Sequence, residues 1–224
     1  LGTLPMVPTQ DGRWSRPTNT YRRTEDLAKV LGEALHLWLD ASRLPSARSV
    51  QTFIDSLGIR RSPMARHLVD RMLFLAEKYV PSEEARRACA EAFYVLCDNY
   101  EEWKEKPFFQ DAIADLRDAA CFPAEGDGET WHTADALYAP YRADAFRSQA
   151  RILDFRNTAR LKTELLEKLE VSINPETKLV IGHLQHCVAT SVPPHVSTYQ
   201  VLNERAQRED PLIATLAGTR CIYV

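Results

Sequence analysis

The chain has 224 residues, of which 45% are hydrophobic and 26% are charged, a balance typical of globular proteins. A formal net charge of −3 and a pI of about 6.1 give no global reason to expect nucleic acid or an acidic membrane as a partner. No apolar run approaches the ~20 residues that a membrane helix needs, and no signal peptide is recognisable. Together these features predict a cytoplasmic protein without membrane contact.

The chain opens with a predicted β-hairpin. Leu4 to Val7 are apolar and suited to a strand, and Asp11-Gly12 is a dipeptide that favours the tight turn of a hairpin. Trp14 follows after Arg13 and can cover the hairpin with its ring.

A short helix and a short strand come next. Thr24 is suited to cap a helix that begins with Glu25 and Asp26 and runs through Leu31. The apolar run His36 to Asp40 then predicts a brief strand that joins the hairpin, although so short a run is not typed by periodicity alone.

Four further helices complete this part of the chain. The first is capped by Ser46, and Gly58 ends it. The second opens at Ser62-Pro63 with proline in its first helical position, the third is capped by Ser82, and the fourth runs from Phe108 to Leu116. The apolar face of the helix after Ser46 is formed by Val50, Phe53, Ile54 and Leu57.

From Leu116 onward the sequence predicts the same order of elements a second time. The spacing between matching positions falls from 115 residues at Pro8/Pro123 to 112 at Pro63/Pro175 and 106 at Leu96/Leu202, as small loop deletions would produce. The other matching features are Gly12/Gly128, Trp14/Trp131, Tyr21/Tyr138, a strand at Arg151 to Phe155, a helix with Leu161, Leu165, Leu166 and Leu169, helices opened by Asn174-Pro175 and by Pro193-Pro194, and a helix from Pro211 to Leu216.

These matches predict an α+β, predominantly helical tandem repeat, in which each unit opens with a β-hairpin followed by four or five helices. We predict one unit at residues 1–115, a second at 116–218, and the first strand of a truncated third unit at 219–224, where Cys221 stands in the place of Cys121. The truncated end and the initial Leu1 lead us to expect a fragment of a longer protein, able to self-associate through that end.

The cysteines do not form a recognisable disulfide or catalytic pattern. Their number is odd and their spacing is unpaired, which favours reduced thiols in an intracellular protein. They are Cys89, Cys97, Cys121, Cys187 and Cys221.

A metal site is suggested only by His183, His186 and Cys187. One helical turn separates His183 from Cys187, a spacing that can supply two ligands. No second ligand pair stands at zinc-like spacing, and the corresponding positions of the first unit are Arg71, Phe74 and Leu75. We therefore predict no metal site.

Catalytic and cofactor motifs are absent from the sequence. There is no G-x-S-x-G nucleophile elbow and no glycine-rich phosphate loop. Carboxylate pairs such as Glu83-Glu84 and Glu101-Glu102 lie beside basic residues and are typical of solvated helix faces. We predict no catalytic residue, no cofactor and no enzymatic activity for this chain.

A basic stretch at residues 142–162 allows two interpretations. Arginines interleaved with Phe146 and Phe155 could follow a phosphate backbone and stack bases. Alternatively, they line the seam between the two units and pair with carboxylates, which the acidic net charge favours. The nucleic-acid alternative would use Arg147, Arg151, Arg156, Arg160 and Lys162.

This order of elements resembles the repeats that lie downstream of the GHKL-type ATPase module in very large intracellular sacsin-like proteins. The resemblance implies an accessory scaffold or protein–protein interaction region of a chaperone-like or defence-type ATPase, binding other segments of the parent chain or another protein. The lone Asp98-Asn99 lacks the glycine-rich partners of the ATPase motifs, so no ATP-binding residue is carried over. The residues that carry the resemblance are Leu4-Pro5, Val7-Pro8, Asp11-Gly12, Trp14, Leu57-Gly58-Ile59 and Pro63, with Pro123, Gly128, Trp131, Leu169 and Pro175 in the second unit.

Overall fold

The computed structural model describes residues 4, 6–45 and 48–216, with only the backbone described at 49, 51 and 55. These residues form an α+β fold in which two small antiparallel hairpins stand among helices. The predicted strand at 219–224 and the predicted cap Ser46 lie outside the described residues.

Both predicted hairpins are confirmed, and they have the same register. Strand β1 (Val7–Pro8) pairs with β2 (Trp14–Ser15), and β3 (Phe122–Pro123) pairs with β4 (Trp131–His132). In each hairpin a proline stands opposite a tryptophan.

Helices account for most of the remaining regular structure. Short 3-10 turns at residues 17–19, 41–43, 134–136, 140–145, 158–160 and 211–216 connect the longer elements. The α-helices are α1 (Glu25–Leu31), α2 (Arg48–Ser56), α3 (Ala65–Lys78), α4 (Glu83–Asp98), α5 (Tyr100–Trp103), α6 (Pro107–Arg117), α7 (Thr163–Lys168), α8 (Thr177–Thr190) and α9 (Val196–Gln207).

The helix starts bear out the predicted caps in part. The side chains of Thr24 and Ser82 accept hydrogen bonds from backbone amides of α1 and α4, as predicted. The prediction of Pro63 as the first residue of a helix is wrong, because α3 begins two residues later. Met64 is extended and donates its amide to the hydroxyl of Tyr21. Pro175 likewise precedes α8 by two residues.

Each hairpin is joined to the segment that follows it by matching backbone hydrogen bonds. The amide of Asp40 donates to the carbonyl of Pro8, and the amide of Asp154 donates to that of Pro123. The two short apolar runs at 36–40 and 151–155 thus pair with their hairpins, but through isolated bridges instead of the predicted strands. Because proline has no amide hydrogen to donate, neither run can form a full ladder with its hairpin.

A second set of matching bonds surrounds Tyr21 and Tyr138. The amide of Leu39 donates to the carbonyl of Tyr21, and the amide of Leu153 donates to that of Tyr138. Each tyrosine also forms a parallel bridge to the residues after a helix, at Arg60 in one case and Ser172 in the other. The order of hairpin, tyrosine and bridges is therefore the same at both places in the chain.

One hydrophobic core extends from α1, α3, α4 and α6 into the second hairpin and α7. The ring of Phe93 on α4 lies 6.0 Å from that of Phe122 and 5.0 Å from that of Phe155. Two smaller clusters lie outside this core, one around Val7 and one between the 140–145 turn, α8 and α9.

Three expectations for the helices need correction. Phe53, predicted to lie on the apolar face of its helix, is 49% exposed. Residues Pro211–Leu216 form a 3-10 helix without a buried residue. Leu202 stands seven residues after its cap His195, whereas Leu96 stands 14 after Ser82, so the two leucines do not occupy the same place in α9 and α4. By distance from the cap, Leu202 corresponds instead to Cys89.

Candidate functional site

The structure places most of the basic stretch in ion pairs. Arg156 lies 3.2 Å from a carboxylate oxygen of Glu83, and Arg160 lies 2.5 Å from one of Asp98. Both acids belong to α4, so these pairs connect the second half of the chain to the first. Glu83 is 63% exposed, as the prediction of a solvated helix face requires, and it also takes part in the contact between the halves.

The remaining basic residues are more dispersed. Arg147 lies 3.2 Å from both Glu125 and Asp144, while Arg151 is exposed and Lys162 is half-buried. Carboxylates already neutralise three of the five residues named for nucleic-acid binding. That interpretation stays a prediction, and the ion pairs favour the seam interpretation instead.

The least exposed ion pair between the halves joins Arg86 on α4 to Asp154. A nitrogen of Arg86 donates to a carboxylate oxygen of Asp154 over 3.0 Å, and the two side chains are only 19% and 10% exposed. A second nitrogen of Arg86 donates to Glu83 over 3.1 Å. Sequence reasoning did not single out this pair, whose one signal was an acid within the short apolar run at 151–155.

Of the residues suspected of metal binding, His183 has both ring nitrogens in contact with neighbouring side chains. Nδ1 of His183 lies 2.7 Å from the hydroxyl of Ser148, and Nε2 lies 3.7 Å from the sulfur of Cys187. Burial, and secondly the charge of His186, lowers the pKa of His183. Among the described residues no three His, Cys, Asp or Glu side chains are grouped for a metal ion.

A cleft of about 810 Å³ opens between the end of α1, residues 33–37, α3 and the start of α4. Gly32 ends α1 with a φ of 64°, a conformation that favours glycine, and turns the chain into the 33–37 segment. The apolar walls are formed by Leu31, Leu35, Leu37, Phe74 and Leu75, and the polar groups include His36, His67, Arg71 and Tyr79.

Arg71 is the central charge of this cleft. Its guanidinium packs against the backbone of Gly32 and lies 5.9 Å from the centre of the Phe74 ring. Nε is buried and has no hydrogen-bond partner among the described residues. Burial lowers the pKa of Arg71, and the nearby Tyr79, Cys89 and Glu33 oppose this shift. The cleft therefore contains a half-buried cation that the described chain does not pair.

His67, one turn before Arg71 on α3, is hydrogen-bonded to Tyr21. The hydroxyl of Tyr21 accepts a hydrogen bond from the amide of Met64 at 3.0 Å and lies 2.9 Å from Nδ1 of His67. When this hydroxyl donates its proton to Nδ1, the ring of neutral His67 carries its own proton on Nε2. Burial lowers the pKa of His67, which favours this neutral form.

The matching place in the second half is filled differently. His183 stands at the position of Arg71, and Leu179 at that of His67. The side chains of Ser148 and Gln149 lie against α8 there, on His183 and Gly182. The unpaired cation is thus a feature of the first half. An alignment of the two halves indicates this difference, because it places Arg71 opposite His183.

Comparison of the chain with models of known protein families, with curated proteins and with solved structures gives no match. Within the described part of the chain, no helix combines the length and apolarity needed to cross a membrane. The geometry of the cleft and of the contact between the halves therefore carries the functional argument.

Proposed function

We propose that this chain is a tandem-repeat, protein-interaction region of a larger protein, with units at residues 1–115 and 116–218, and that it acts as a non-catalytic scaffold. The repeat is supported by the shared order of hairpin, tyrosine and backbone bridges at Tyr21 and Tyr138. Repeats of this kind stack because each unit leaves an apolar face that its neighbour covers.

One observation carries the interaction role: two residues that contact the first unit, Leu165 and Trp131, have exposed counterparts in Phe53 and Trp14. Leu165 is fully buried in the shared core, whereas its counterpart Phe53 is 49% exposed. The indole of Trp131 donates to the carbonyl of Tyr79 over 2.7 Å, whereas its counterpart Trp14 is 57% exposed.

We call the exposed set formed by Leu4, Trp14 and Phe53 the hairpin face. Leu4 is 57% exposed, and its counterpart Ala119 is packed against the shared core. Large exposed aromatic and aliphatic side chains suit a binding surface. The partner that fits the hairpin face is a further helical unit. This unit would present a helix end to Trp14, as α3 does to Trp131, and an apolar helix face, as α4 does to Phe122.

The resemblance to sacsin-like repeats agrees with this proposal. In that setting the parent protein would carry the ATPase module, and this chain would position it or hold a client. The parent's reaction, its partners and an intracellular location belong to the proposal on the same basis.

The test is binding of the chain to purified neighbouring segments of the parent protein, measured by native mass spectrometry and calorimetry. We expect the double variant Trp14→Ala/Phe53→Ser to weaken binding at least about tenfold, since two aromatic anchors are lost. Phe108→Ser is the matched control, because Phe108 is 45% exposed on a different element. Equal binding by both variants, or catalytic turnover by the isolated chain, would contradict the proposal.

A further inference from the structure

The cleft beside α3 contains Arg71, a cation for which the described residues supply no paired anion. We propose that this cleft binds a carboxylate group carried on an apolar body, with Arg71 and the Nε2–H of His67 as its hydrogen-bond donors. The inference stands on the cleft alone and does not depend on the tandem-repeat proposal.

The acids around Arg71 are already engaged with other arginines. Glu33 accepts a hydrogen bond from Arg23 over 2.9 Å, and Asp70 lies 2.8 Å from Arg66. A guanidinium offers five donors, and leaving them unpaired while half-buried costs free energy that an anionic ligand would recover. A ligand that carries the missing anion is therefore the simplest completion of the site.

His67 adds a second donor on the same helix face. Residues four apart on an α-helix are neighbours, so the imidazole of His67 and the guanidinium of Arg71 border the same part of the cleft. A proton donated by the Tyr21 hydroxyl to Nδ1 leaves the proton of neutral His67 on Nε2 without adding a charge. Two donors one turn apart suit the two oxygens of one carboxylate.

The charge of the cleft favours a single negative charge on the ligand. Among the described residues that line the cleft, Arg71 is the one permanent cation, and Asp11, Glu33, Asp70 and Glu84 line it as well. A phosphate or dicarboxylate would bring a second negative charge towards these acids. A carboxylate brings one charge, and its planar pair of oxygens matches the guanidinium fork.

The walls of the cleft require the rest of the ligand to be apolar. Leu37 and Leu75 are buried beneath it, and Leu35 and Phe74 are 44% and 43% exposed at its mouth. A volume of about 810 Å³ falls in the range of roughly 300–1,000 Å³ common for small-ligand sites. Two sources share this chemistry: a free aliphatic or aromatic acid, and the C-terminal carboxylate of a peptide with apolar last residues.

The test compares matched carboxylate and amide ligands by calorimetry and by NMR titration of the full chain. Octanoate and octanamide form one arm, and an acetylated Leu-Phe dipeptide with a free or an amidated C-terminus forms the other. We expect the carboxylate of at least one arm to bind about tenfold or more tightly than its amide, as loss of a charge-assisted pair predicts. The arm that binds identifies the source, and shifts should map to α3 and residues 31–37.

Variants assign the donors. Arg71→Met should weaken carboxylate binding at least about tenfold, and His67→Leu should weaken it less. Arg61→Met is the control, because it removes the same charge from an exposed residue outside the cleft. Saturable binding absent from both arms, equal binding of carboxylate and amide, or unchanged binding by Arg71→Met would overturn the proposal. The ligand comparison on the unsubstituted chain decides the question even if a variant fails to fold.

Discussion

The two hairpins have one register but opposite surroundings. Trp131 on the second hairpin donates to the end of α3, and Phe122 beside it is fully buried against α4. Trp14 on the first hairpin is 57% exposed, and its ring is contacted by Arg43 of the same half. Val7, the counterpart of Phe122, is also buried, so the neighbouring helices change the surroundings of the tryptophan and not of the whole hairpin.

The segments behind the hairpins differ in the same way. Leu166 and Leu169 belong to the core shared with α4, whereas their counterparts Ile54 and Leu57 form a separate small cluster with Val7. The apolar pattern is alike in both halves. Contact with the core around α4 thus makes Leu166 and Leu169 part of the main core.

The largest expected difference between the halves is at Leu165 and Phe53. Leu165→Ala should lower the free energy of unfolding by about 2–5 kcal/mol, because it leaves a cavity in the shared core. Phe53→Ala should lower it by less than about 1 kcal/mol, since half of that side chain is already in water. Urea denaturation of both variants measures the difference, and equal losses would contradict the comparison.

The next effect concerns the ion pair that joins the halves. Asp154→Ala should cost about 2–3 kcal/mol of unfolding free energy, because Arg86 then stays largely buried without its main partner. Glu204→Ala breaks the exposed pair with Arg142 and should leave stability nearly unchanged. Thermal and urea denaturation check both, and a Glu204 loss as large as that of Asp154 would show that burial does not set the cost.

A smaller effect isolates one hydrogen bond at the second hairpin. Trp131→Phe removes the donor to the carbonyl of Tyr79 and should cost about 1 kcal/mol. Trp14→Phe is the matched change at the first hairpin and should cost nearly nothing, since that ring is exposed. Differential scanning calorimetry of the two variants tests the pair. A greater loss from Trp14→Phe would reverse the comparison.

The smallest effect is expected in the cleft. Without ligand, Arg71→Met should leave the free energy of unfolding within about 0.5 kcal/mol of the original value or raise it, because the substitution removes an unpaired, half-buried charge. Arg86→Met, at the paired arginine, should instead be destabilising. The same urea titrations decide this, and a large loss from Arg71→Met would mean that this arginine supports the fold.

Sequence reasoning reached the local features of the fold. The turn dipeptide Asp11-Gly12, the caps Thr24 and Ser82 and the α+β class all follow from interactions between residues close in the chain. The delayed start of α3 was not predicted: Met64 after Pro63 is extended, as is Glu176 after Pro175.

The candidate sites were less accessible to sequence reasoning. The Arg86–Asp154 pair joins residues 68 positions apart, and nothing in the local sequence distinguishes it from other helical ion pairs. The cleft depends on how the segment after Gly32 passes over α3, which is set by packing. Phe53 has the helical spacing of a core residue, and only the absence of a covering neighbour among the described residues leaves it exposed.

If both halves of the chain fold on one scheme, matched backbone amides should be protected alike. Hydrogen exchange measures this protection. Leu39, Asp40 and Arg60 donate backbone hydrogen bonds that correspond to those of Leu153, Asp154 and Ser172. We expect all six amides to exchange slowly. The amides of Leu153, Asp154 and Ser172 should exchange more slowly because they adjoin the shared core. Slow exchange confined to one set would contradict a common scheme in the two halves.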